Sequence, residues 1–187
     1  MNTEQNAFSM PGNTFDREVE LKPLVGLSLL QIKRDATWLQ VHFGKGNEFF
    51  GDRSETAVVG EKMLEVYHPC AWRISKPGEI ITGSGDLDNM ESGYYRDLRE
   101  ASSCTRFDLA AFFFQQEIEN RYPVVQSIEM DALEGFKMRL SGGYELVVLP
   151  ADSQSSNDPK YWRVLKPTNE KRNKPRGIRL FVKDHSD

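Results

Sequence analysis

The chain has 187 residues, 39% hydrophobic and 28% charged, a make-up that belongs to a globular domain and not to a disordered segment. Its formal net charge is −4, from 24 basic and 28 acidic residues, which excludes an overall polycationic face for nucleic acid. Two cysteines, Cys70 and Cys104, are too few for a disulfide framework, and no run reaches the ~20 apolar residues that a membrane-crossing helix needs.

Residues 1–20 are polar and carry Pro11, Gly12 and Asn13, so they read as a flexible lead-in to a single globular domain over 21–187. Met1–Met10 has neither a basic start nor an apolar core, so no export signal is read there and a cytoplasmic location is expected. Leu29–Ile32 predicts a strand, Arg34-Asp35-Ala36-Thr37 a short turn, and Trp38–Phe43 a second strand. Its alternation puts Trp38, Gln40 and His42 on one face and Leu39, Val41 and Phe43 on the other.

After a polar stretch from Gly44 to Gly60, further strands are expected at Met63–Tyr67, Ala71–Ile74 and Ile80–Thr82, the last two joined by the Lys76-Pro77-Gly78-Glu79 turn. Gly83–Arg99 reads as a long charged loop. One central helix is predicted over about 105–119, with Thr105 and Asp108 at capping spacing and Phe107, Ala110, Ala111, Phe114 and Ile118 on one face. Phe112 and Phe113 fall off that stripe, which predicts a helix buried on more than one side. Strands follow at Val124–Ile128, Phe136–Leu140, Tyr144–Leu149, Tyr161–Leu165 and Ile178–Val182, with Ser141-Gly142-Gly143 as a tight link whose glycines suit positive φ.

The order strand, turn, strand, glycine link, strand, Trp-Arg strand, link, closing strand occurs twice, with Trp72-Arg73-Ile74 then Ile80–Thr82 in the first copy and Trp162-Arg163-Val164 then Ile178–Val182 in the second. The expected architecture is therefore α+β and mostly β: antiparallel sheets from two pseudo-repeats, about 24–100 and 121–187, with the helix between them. In a strand, Trp and Arg point to opposite faces, so each indole is expected in the core and each guanidinium outside.

The pieces Pro69-Cys70-Ala71-Trp72-Arg73-Ile74, Gly83-Ser84-Gly85-Asp86, Leu140–Leu146 and Tyr161-Trp162-Arg163 resemble a group of small uncharacterised bacterial proteins. Those carry a Cys-Pro-Trp-Arg-Ile strand, a Gly-Ser-x-Asp loop and a closing Trp-Arg strand. Here Pro69 precedes Cys70, and Ala71 is inserted before Trp72. The resemblance implies a bacterial cytosolic protein and carries no activity or functional residue with it.

Candidate chemistry is sparse. His68 and Cys70 have no second pair to complete a zinc site, so no metal or other cofactor is expected. Some pairing of Cys70 or Cys104 with His42 or His68 is always imaginable in a list this short, and no catalytic residue is assigned. Asp86, Asp88 and Glu91 lack the full calcium-loop pattern, and Lys166–Arg176 has no interleaved aromatics, so neither a cation nor nucleic acid is the expected partner. The stretch with Asp86, Asp88, Tyr94, Tyr95, Arg96 and Asp97 combines interface-type residues with acids that would steer a basic protein. The expected role is a non-catalytic protein-binding module, such as an immunity-type inhibitor or an accessory subunit of a toxin or defence system. A small hydrolase and a small-molecule sensor with a site between the repeats are the alternatives.

Overall fold

Period-two alternation, broken by short turns, sorts the chain into strands that bury one apolar row each. In the computed structural model, which describes residues 14–45, 60–89, 104–151 and 161–166, these form the antiparallel, mostly-β architecture expected. The elements are α1 (Thr14–Leu21), β1 (Ser28–Asp35), β2 (Trp38–Gly44), β3 (Lys62–Val66), β4 (Ala71–Lys76), β5 (Glu79–Gly83), α2 (Arg106–Ile118), β6 (Val125–Met130), β7 (Phe136–Leu140), β8 (Glu145–Leu149) and β9 (Trp162–Leu165). One sheet has the order β1-β2-β3-β9 and the other β5-β4-β8-β7-β6. A single hydrophobic cluster takes side chains from both, among them Val41, Leu64 and Trp162 from the first and Trp72, Met138 and Val148 from the second. Each such fully buried side chain contributes ~1.5–3 kcal/mol by leaving water.

The strand order hides a two-fold relation. β1-β2-β3 is a meander whose successor β4 leaves for the other sheet and pairs with β8. β6-β7-β8 is a meander whose successor β9 leaves for the first sheet and pairs with β3. The two crossings agree in register: Trp72 opposes Val148 and Ile74 opposes Leu146, while Trp162 opposes Val66 and Val164 opposes Leu64. A bulge also recurs, with Leu30 the extra residue between Leu29 and Gln31 and Gln126 the extra residue between Val125 and Ser127. The two units meet where Ser28 bridges Val124, flanked by Leu29 N donating to Pro123 O at 2.7 Å and Val125 N donating to Leu27 O at 2.9 Å. Both indoles are buried, Trp72 against Phe107 and Trp162 against Phe136. Ile178–Val182, the expected last strand, lies outside the described residues.

The helix α2 follows its sequence signals. Thr105 is the N-cap, and its hydroxyl accepts from Asp108 N while the Asp108 carboxylate accepts from Thr105 N at 2.8 Å. Phe107, Phe114 and Ile118 are buried, and Arg34 of β1 grips Asp108 with two bonds of 2.9 and 2.8 Å. Gln115 Nε2 donates at 2.9 Å to the carbonyl of Leu30, the bulge residue that the ladder leaves over.

Two expectations need correction. Residues 14–21 form a helix, α1, so the described chain has two α-helices instead of one, while residues 1–13 of the expected lead-in lie outside the described residues. Half of the α1 residues, Arg17, Glu18, Glu20 and Leu21, are good helix formers, and Leu21 and Leu24 anchor its end in the core. Nor is α2 buried on two sides: Phe113 is 57% exposed, its ring meeting only the neighbouring Phe112 edge-on among the aromatic pairs described.

The glycines at 142 and 143 do adopt positive φ, 79° and 81°, and a Cβ on Gly143 would stand 3.1 Å from the Pro77 ring. Gly60 is needed for space: its Cβ would collide with the backbone of Phe43.

Candidate functional site

The inner face of β1-β2-β3-β9 belongs to the core. Its other face carries Lys33, Trp38, Gln40, His42, Met63, Glu65, Tyr67, Arg163 and Leu165, brought into rows by the pairing of four strands. The central row runs Lys33–Gln40–Glu65–Arg163 across the sheet. Contrary to an alternation of buried and solvated faces, Gln40, His42 and Glu65 are as buried as the core side, at 8%, 4% and 5% exposure.

Glu65 is the hub. Oε1 accepts from Gln40 Nε2 at 2.9 Å, and Oε2 accepts from Arg163 Nε at 2.7 Å and from the Tyr67 hydroxyl. Burial alone would raise the Glu65 pKa, but the bonds from Tyr67, Arg163 and Gln40 outweigh it and hold the carboxyl below its ordinary range. The Tyr67 hydroxyl shifts upward, through burial and its bond to Glu65. The Arg163 guanidinium lies 5.3 Å from the Tyr67 ring centre, and Trp38 leans on the same ring at 5.7 Å. Arg163 therefore has its Nε fixed by Glu65 while its side chain remains 45% exposed.

Beside this satisfied cluster stand groups with nothing to bond. Neither ring nitrogen of His42 has a hydrogen-bond partner, and the Trp38 Nε1 is buried without one. Each such group costs ~1–3 kcal/mol relative to a satisfied one. Burial, helped by the charge of Lys33, lowers the His42 pKa to about 3, so the imidazole is neutral at ordinary pH.

The two-fold relation supplies an internal comparison. On the matching face of the other sheet the equivalent row is Glu129–Lys137–Val147–Arg73. There Val147 stands where the first sheet has Glu65, and no hub forms. Instead Arg139 pairs with Glu129 and, at 3.6 Å, with Glu145, and Lys137 reaches Glu145 at 3.9 Å. All of these side chains are at least 35% exposed, an ordinary solvated ladder worth little to stability. No family model, no curated protein and no solved structure matches this chain. The difference between its own two halves is therefore the comparison that bears on function.

The loop singled out in the sequence is only partly described. Asp86 caps its own turn, accepting from Thr82 Oγ1 and Gly83 N, both at 3.1 Å, and Arg106 lies 3.8 Å away. Asp88 is exposed, and Tyr94, Tyr95, Arg96 and Asp97 lie outside the described residues. Among the described residues no group of three or more His, Cys, Asp or Glu side chains converges for a metal. No helix among them is long and apolar enough to cross a membrane. The Cys70 thiol donates to Tyr161 O at 3.4 Å and is pushed up to about 12, by burial and then by the charge of Glu134.

Proposed function

We propose that this chain is a non-catalytic binding module that recognises another protein through the Trp38–Tyr67–Arg163 face of its four-stranded sheet. The observation that carries the reading is the contrast between the two equivalent faces. One holds Trp, Tyr and a braced Arg, the residue types that dominate binding hot spots. Its counterpart holds a solvated charge ladder. Glu65 fixes Arg163 and Tyr67 before any partner arrives, which lowers the ordering entropy that binding must overcome.

The described groups also fit poorly with catalysis. Cys70 is a thiol and not a thiolate at neutral pH, Glu65 has both oxygens engaged and stays ionised, and His42 has no relay partner. In the bacterial cytosolic setting implied by the sequence resemblance, an immunity-type inhibitor or an accessory subunit of a defence system matches such a module.

The test is capture from the native cell with the full chain as bait, beside the double variant Tyr67→Ala with Arg163→Ala. The control is Arg73→Ala with Lys137→Ala on the matching face. A partner held by the wild type and the control but lost by the double variant is expected. A partner held by all three places recognition elsewhere.

A further inference from the structure

At the β1 side of the same face, Lys33 is a diagonal cross-strand neighbour of both Trp38 and His42, within ~7–8 Å along the sheet. It makes no ion pair or side-chain hydrogen bond among the described residues, and burial lowers its pKa although Asp35 and Glu65 attract its charge. Lys33, Trp38 Nε1 and the N–H of the neutral His42 ring are thus three donors on one sheet face without an acceptor, with Lys33 between the other two along the sheet.

The other half of the molecule shows what is missing. The position of His42 is taken there by Arg139, that of Lys33 by Glu129 and that of Met63 by Glu145. Arg139 pairs with both glutamates, so that half supplies its own carboxylates to the shared donor position. In the first half both acids are replaced, one by a cation and one by a thioether, while donors stay. We infer that Lys33, His42 and Trp38 form a carboxylate-binding site, the acid coming from a ligand instead of the chain. β1 is the outer strand of its sheet and Lys33 is half-buried, so the acid approaches from that edge. The acid is either a small molecule or a partner's Asp or Glu side chain, and the two sources share the chemistry.

The site is read by nuclear magnetic resonance on the full chain, following the Trp38 indole N–H and the His42 ring. The probes are acetate and an end-blocked glutamate peptide, with chloride at matched ionic strength as reference. A saturable Trp38 shift is expected with at least one carboxylate probe, together with a rise in the His42 pKa above the value set by burial and Lys33, which lower it, and Glu65, which raises it. Saturation by acetate assigns the site to a small acid, and saturation by the peptide alone assigns it to a protein side chain. Lys33→Gln is expected to weaken binding at least about tenfold. Lys33→Glu, which restores the acid found in the other half, is expected to raise the His42 pKa with no probe present and to abolish the probe response. No saturable shift beyond chloride, or an undiminished one in Lys33→Gln, overturns the site. No partner protein enters the titration, so its failure leaves the Arg163 surface standing.

Discussion

Replacing Trp162 with alanine is expected to cost ~3–5 kcal/mol of folding stability. The indole is fully buried, stacks edge-on against Phe136 of the opposite sheet at 5.4 Å, and donates from Nε1 to the Glu134 carbonyl at 2.8 Å. It opens β9, the strand by which the second unit completes the sheet of the first, so the substitution leaves a cavity at the exchange point. Denaturant unfolding of the variant against the wild type measures it. A loss below ~1 kcal/mol would show that the exchanged strand contributes little to cohesion.

Acid should weaken the fold well before its carboxylates titrate. With its folded pKa at about 3 against an ordinary 6.5, His42 stays neutral while the unfolded chain takes up a proton as the pH drops. The contribution is fully present above pH ~6.5 and falls by ~1.4 kcal/mol per pH unit below it, until the folded pKa is reached. Between pH 7 and pH 5 this amounts to ~2 kcal/mol. Glu65 and Asp108 are both held below their ordinary values, so their stabilisation is present above that range and is lost only at lower pH. Between pH 7 and pH 5 the buried histidine therefore outweighs these two carboxylates. Urea unfolding of His42→Phe from pH 7 to pH 5 should lose this ~2 kcal/mol of pH dependence, and a slope equal to that of the wild type would contradict the burial of a neutral imidazole.

The strands were legible because their apolar rows alternate, and α2 because Thr105 and Asp108 cap it. The repeat could be suspected from Trp72-Arg73-Ile74 and Trp162-Arg163-Val164, but not the exchange of β4 and β9. That depends on which strand pairs with which, a non-local choice that side-chain order does not encode. The candidate face was missed for the same reason. Trp38, Gln40 and His42 were placed on one face from sequence, yet Glu65 and Arg163 join them only through the β2–β3 and β3–β9 registers. The one local hint was polarity: Gln40 and His42 share one face of a strand, and both are buried. Helix α1 was missed because proline and glycine before it drew the reading towards a loop, while the burial of Leu21 is a tertiary effect.

The claim that recognition lies on one of two equivalent faces is tested most directly by a pair of dissociation constants for the captured partner. Arg163 and Arg73 occupy matching places in the two exchanged strands, one braced by Glu65 and the other opposite Val147. Arg163→Ala is expected to weaken binding at least about tenfold, and Arg73→Ala by less than about twofold. Equal effects, or a larger loss from Arg73→Ala, would contradict the assignment of the binding face to the four-stranded sheet.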